Sequence, residues 1–215
     1  MFKYVISVIL LFVPMITLGA EFVEGKDYEV INSGNTMVSH GSPVSVSEFF
    51  SFGCPWCYRL DSAIYQWTLK QGKSIHFSKV PVVFNSNWDN YARAYYIMDS
   101  LSLGKKVHDA LFKTIIVDKQ PLNTHQDMVD FFTKNGVDAR IAESAFSHSP
   151  SIELRLKTDA AMMAKYHINA VPTLVVNHQY KTNLQMAKTE ERLFEIMDYL
   201  LKKSRIDKRK MSLLR

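Results

Sequence analysis

The feature that most constrains the fold is a junction. Val44-Ser45-Val46-Ser47-Glu48-Phe49-Phe50-Ser51-Phe52 has the composition of a strand, Gly53 interrupts it, and Cys54-Pro55-Trp56-Cys57 follows at once. Alternation puts Val44, Val46, Glu48, Phe50 and Phe52 on one strand face. From Pro55 to about Gln71 the spacing turns helical, with Leu60, Ile64 and Trp67 on one stripe and Gly72 as the stop. Ile75 to Phe84 is extended again. Strand, helix and strand in that order predict two parallel neighbouring strands joined by a crossover helix.

The remainder extends this unit. A short extended piece is expected at Tyr28 to Ile31, and Gly41-Ser42-Pro43 marks a turn. Between about Asn87 and His167 several amphipathic helical patterns are broken at Gly104, Pro121, Gly136 and Pro150. Val171-Pro172-Thr173-Leu174-Val175-Val176 and Gln179-Tyr180-Lys181 then read as two strands around an Asn177-His178 turn. Thr189 to Lys202 reads as a closing helix. The predicted architecture is an α/β domain in two segments, 21–86 and 168–202, interrupted by an all-helical domain over 87–167. With 47% apolar and 22% charged residues, the chain has the composition of a packed globular protein throughout.

The two ends differ from the body. Lys3, the apolar run Val5 to Ile16 and the small residues before Ala20 match a secretory signal peptide over 1–20. The run is too short for a spanning helix, and Pro14 interrupts it. A soluble protein in an oxidising compartment is expected. The net charge of +5 is a property of the far end: residues 202–215 carry +6, whereas residues 21–201 carry −2. The basic stretch 203–215 is expected to be a solvated, frayed tail, with contact to anionic lipid or an acidic partner as the alternative. No nucleic-acid partner is indicated.

Cys54 and Cys57 are the only cysteines. Two intervening residues at a helix start place the sulfurs one turn apart, close enough for a disulfide. With Pro55 at the first helical position, Cys54 is the N-cap and faces free backbone N–H groups that favour a thiolate. Cys54 is therefore the expected exposed nucleophile and Cys57, a turn deeper, the resolving thiol. A structural staple across so short a loop constrains almost nothing. A zinc site needs four ligands, and the histidines at 40, 76, 108, 125, 148, 167 and 178 are scattered, so no metal is expected. No cofactor is called for.

Pro172 lies in an apolar run where it cannot donate to a ladder, which marks an edge or a special bend. Its order after the helical insertion allows a cis proline facing the cysteines, with Val171, Pro172 and Thr173 offering backbone to an extended peptide. Glu48 and Lys79 are charged residues inside apolar strands. In adjacent strands they would pair, and a buried Glu48 near Cys57 would accept its proton. The alternative is that both lie at exposed edges.

Glu48 through Tyr58, together with Val171-Pro172-Thr173 and the earlier Glu24-Gly25-Lys26-Asp27-Tyr28, resembles the DsbA-type periplasmic disulfide oxidoreductases over about residues 23–202. The resemblance implies a thioredoxin fold with an inserted helical domain and a periplasmic monomer that oxidises reduced exported proteins. It also implies reoxidation by a membrane partner of the DsbB type. It makes Pro172 cis, sets Val171 against substrate, and places Glu48 and Lys79 at the family's buried acid and lysine. One departure is Trp56, where the best-known members have His; Pro55 and Trp56 tune the thiolate, and Trp56 implies a weaker oxidant. A reductase or isomerase on the same fold, or a non-catalytic chaperone or peptide-binding module using the groove around Pro172, are the competing expectations.

Overall fold

The computed structural model describes residues 22–31, 42–147 and 149–213, with side chains through Ile206. The signal peptide expected over 1–20, and His40 and His148, lie outside the described residues.

The strands are β1 (Glu29–Val30), β2 (Val44–Phe50), β3 (Ile75–Pro81), β4 (Thr173–Val176) and β5 (Tyr180–Asn183). They form one sheet in the order β1-β5-β4-β2-β3. β2 and β3 are parallel, as the strand-helix-strand pattern requires, and the other pairings are antiparallel. β2 lies inside the sheet, which is why six of its seven residues are buried. The register sets Glu48 directly beside Lys79. β4 is also interior, so Pro172 does not mark an edge: it stands just before the first ladder residue, Thr173, where its missing N–H costs no ladder bond. Asn177 and His178 both have positive φ, the conformation of a tight two-residue hairpin turn.

Helix α1 (Pro55–Gln71) follows β2 and stops at Gly72, whose φ of 53° favours glycine. Between β3 and β4 lie α2 (Ser86–Ser100), α3 (Gly104–Phe112), a π-helical turn over Lys113–Val117, α4 (His125–Lys134), α5 (Ala139–Ser147) and α6 (Pro150–Lys165). After β5 come α7 (Leu184–Ala187) and α8 (Glu190–Leu213). The helix expected to close at Lys202 therefore continues to Leu213. Lys202, Lys203, Arg205, Lys208, Arg209 and Lys210 thus lie within the span of that helix, consistent with the good helix propensity of Lys and Arg.

Burial follows the sheet's two faces. Val44, Val46, Leu174 and Val176 pack against Leu60 and Ile64 of α1 and Leu193, Ile196 and Leu200 of α8. On the opposite face Phe49, Val80 and Val175 pack with Tyr166 and Ile168, which follow α6. A third cluster joins the end of β2 to the helices between β3 and β4, through Phe50, Phe52, Leu111, Phe112, Met128 and Phe132. Both cysteines belong to this third cluster, so they lie where the sheet meets those helices. Among the described residues, no helix is long and apolar enough to cross a membrane.

Candidate active site

The chain leaves β2 at Phe50 and turns through Ser51 and Gly53 before entering α1. Ser51 Oγ accepts from Gly53 N at 3.1 Å, and its carbonyl accepts from Cys54 N at 3.1 Å. Gly53 is required sterically: a Cβ there would come within 2.4 Å of Trp88 Nε1 and 2.9 Å of Tyr91 Cε2. Cys54 is the N-cap of α1, and its sulfur accepts from Cys57 N at 3.3 Å. The hydrogen bond from the Cys57 thiol lowers the Cys54 pKa most, and the N–H groups of Cys57 and Trp56 add to it; against opposing burial they bring it to about 7. Cys57 moves the other way. Burial pushes its thiol well above the ordinary value, and the neighbouring Cys54 and Glu48 push it further.

Cys54 is less open than its expected role as an exposed nucleophile suggested, with only 5% of its surface exposed. Its Sγ lies 3.5 Å from the Val171 carbonyl. That contact spans 117 positions of sequence, so no local pattern announces it. The Val171–Pro172 bond is cis, and Thr173 Oγ1 donates to the Ala170 carbonyl at 2.8 Å, closing the loop that carries it. Trp56 is more than half exposed, with the Arg59 guanidinium 5.4 Å from its ring centroid. Arg59 Nε also pairs with Glu190 Oε1 at 2.6 Å. Trp56, Arg59, Val171, Pro172 and Leu184 line an open cavity of about 670 Å³ beside Cys54.

Beneath the cysteines lies a set of charges. Glu48 is fully buried, and its Oε2 is 2.8 Å from Lys79 Nζ in an ion pair. Lys79 donates to Asp61 Oδ1 at 2.6 Å, and His108 Nε2 lies 3.0 Å from the same oxygen. Burial raises the Glu48 pKa, with Lys79 opposing. For Asp61, burial is outweighed by His108 and Lys79, and its carboxyl is held well below the usual range. Burial also acts against the Lys79 ammonium, but Glu48 and Asp61 outweigh it and hold the amine protonated.

The profile of the DSBA-like thioredoxin domain matches residues 60–200. The thiol:disulfide interchange protein DsbA of Burkholderia cepacia is 34% identical over 178 residues, 83% of this chain and 84% of that protein. The chain belongs to the DsbA family. Among solved structures, DsbA of Pseudomonas aeruginosa superposes with a TM-score of 0.80 at 29% identity, covering 87% of this chain and 97% of the other. The DsbA oxidoreductase of Xylella fastidiosa gives 0.76 at 30% identity, covering 86% and 98%. The fold is thus the DsbA-like thioredoxin fold.

Within this DsbA-family site the structure brings Cys54, Cys57, Pro55, Trp56, Val171, Pro172, Thr173, Glu48 and Lys79 to one end of the sheet. Glu48 is fully buried on the interior strand β2, and Lys79, although on the edge strand β3, is turned inward with only 15% of its side chain exposed. Asp61 and His108 were not anticipated. Asp61 carried a signal: it falls four residues after Cys57, on the inward stripe that includes Leu60 and Ile64. His108 lies between the buried Val107 and Leu111 of α3, with its ring 4.9 Å from that of Phe52. Asp61, His108 and Asp109 bring potential ligand atoms within 4.8 Å of one another. These groups are already engaged, because Lys79 and His108 share Asp61 Oδ1 and Lys105 holds both oxygens of Asp109. A cation would have to displace two ammonium groups, which makes this a poor metal site.

Proposed function

We propose that this DsbA-family protein is a thiol-disulfide oxidoreductase that donates a Cys54–Cys57 disulfide to reduced exported proteins. The observation that carries this reading is the asymmetry between the two sulfurs: Cys54 is held as a good leaving thiolate while its partner is held as a thiol. A substrate thiolate attacks Cys54, breaking the Cys54–Cys57 bond, and Cys57 leaves and takes up a proton. A second substrate thiolate then attacks the substrate sulfur of the mixed disulfide and expels Cys54 as a thiolate. The substrate is oxidised by two electrons and the protein is reduced by two. Stabilising the Cys54 thiolate stabilises the reduced form, which makes the disulfide an oxidant.

Glu48 is the proton donor and acceptor for Cys57 in this reading, since burial raises the pKa of its carboxyl and so favours its holding a proton beside the thiol. Lys79 positions it. Val171, Pro172 and Thr173 receive the substrate backbone, and the cavity beside Trp56 takes its side chains. The chain works as two sequence segments, 21–86 and 168–202, around an inserted helical domain. Its leader delivers it to the periplasm as a monomer, where a membrane partner of the DsbB type reoxidises it.

The test is an ultraviolet thiolate titration of the reduced protein, paired with equilibration against glutathione. A Cys54 midpoint near pH 7, lost in Cys54→Ala together with all oxidation of a reduced test protein, is expected. A midpoint at the ordinary thiol value, or full activity in the alanine variant, would overturn the assignment.

A further inference from the structure

A cavity of about 500 Å³ lies between the end of β3 and α6, and it shares no lining residue with the cavity beside Trp56. Its walls are apolar, contributed by Pro81 and Val83 from the end of β3 and by Leu156, Met163 and Ile168 from α6 and the turn after it. Asp159 stands among these residues, buried, with 6% of its surface exposed. Apolar walls around one fixed polar group are the make-up of a small-molecule site.

The carboxyl of Asp159 is only half satisfied. Its Oδ2 accepts from Tyr96 Oη of α2 at 2.5 Å, and no other hydrogen bond reaches the group among the described residues. The second oxygen, Oδ1, is not sealed from solvent. The nearby cations are engaged elsewhere: Arg155, one turn earlier on α6, reaches Asp99 at 2.7 Å, and Arg93 is shared by Asp89 and Glu153. His167 lines the cavity without pairing with the acid. Burial raises the Asp159 pKa to about 6, with Tyr96 and Arg155 opposing, so the group is a carboxylate at pH 7.5. A buried carboxylate ordinarily has a counter-charge, and this one lacks it. One carboxylate is too few ligands for calcium or magnesium, which gather about six oxygens.

We propose that this cavity binds a small organic monocation, a primary ammonium on a compact apolar body, with the ammonium donating to Asp159 Oδ1 and the body resting on Leu156, Met163 and Ile168. The inference goes beyond the oxidoreductase reading and does not rest on it. The ammonium supplies the missing charge, and the apolar body fills the space that the side chains leave. A neutral molecule of the same shape keeps the second contribution and loses the first.

The experiment is a two-dimensional amide NMR titration of the oxidised full chain at pH 7.5 with benzylamine and, in parallel, benzyl alcohol. Benzylamine is expected to shift the amides of Val83 and of residues 156–169, and to bind about ten- to a hundredfold more tightly than the alcohol. Asp159→Asn is expected to abolish that difference. Ala164→Phe, at an exposed position on the rim, is expected to block both ligands while leaving the acid in place, and retained dispersion of the amide spectrum checks the fold of each variant. N-acetyl-lysine amide separates two sources of the group: binding as tight as that of benzylamine assigns it to a lysine side chain of a docked polypeptide, weaker binding to a free amine, and either supports the site. Equal affinity of the wild type for benzylamine and benzyl alcohol overturns the proposal. So does an unchanged benzylamine affinity in Asp159→Asn, or the lack of a saturable shift below about 50 mM. None of these outcomes touches the Cys54 titration, on which the oxidoreductase reading stands or falls.

Discussion

Gly53 and Trp56 flank Cys54 and act on it differently. Gly53 gives room for the Trp88 ring, so Gly53→Ala is expected to cost about 1–3 kcal/mol of stability by overpacking, measured by thermal or denaturant unfolding. Trp56 acts on charge, since it offers the thiolate no cationic neighbour of its own; its ring instead carries Arg59. Trp56→His is expected to raise the reduction potential by about 30 mV, roughly tenfold in the glutathione equilibrium constant. An unchanged or lower potential would show that the departure at this position has no bearing on oxidising strength. The sequence made Cys54, Cys57, Glu48 and Lys79 legible because each signal is local: a spacing within one turn, or a charge inside an alternating strand. The meeting of Asp61 with His108 was hidden because it joins side chains 47 positions apart on two helices, and no periodicity encodes such a contact. That the Val171-Pro172 loop could face the cysteines was legible from its order after the helices; that its carbonyl covers Cys54 was not.

Among the elements, α1 was readable from its Pro start and Gly stop, and the parallel pairing of β2 with β3 from the strand-helix-strand order. The end of α8 lies beyond the expected Lys202 because Lys and Arg, which mark the charge of this stretch, are also good helix formers. The π-helical turn over Lys113–Val117 had no signal in the composition or spacing of its residues. The packing of α2 on α6 makes a prediction of its own. Tyr96 Oη donates to Asp159 at 2.5 Å, and burial raises the Asp159 pKa from 3.8 to about 6. Because the folded state holds this proton more tightly, Asp159 contributes stability fully below about pH 4, and the contribution is lost as pH rises through about 6. Asp159→Asn is expected to remove a pH-dependent term on the order of 2 kcal/mol across that window, read from denaturant unfolding against wild type.

For the molecule as a whole, the oxidation state and the stability of the fold are linked. A folded Cys54 pKa of about 7 against an ordinary 9.0 means that the thiolate stabilises the reduced protein fully above pH 9, with the contribution fading as pH falls through 7. The reduced form is expected to lose about 1–2 kcal/mol between those limits, and Cys54→Ala to lose none of it, as unfolding at a series of pH values will show. The order of the parts along the chain has a further consequence. Cys54 and Cys57 precede α2 through α6, whereas Val171 and Pro172 follow them, so a polypeptide synthesised from its beginning presents both thiols well before their cover arrives. During that interval the pair behaves as an unguarded client of the same oxidation chemistry, open to coupling with any passing sulfur. The last strands and α8 therefore close the fold and, in doing so, convert a vulnerable pair of side chains into a selective reagent.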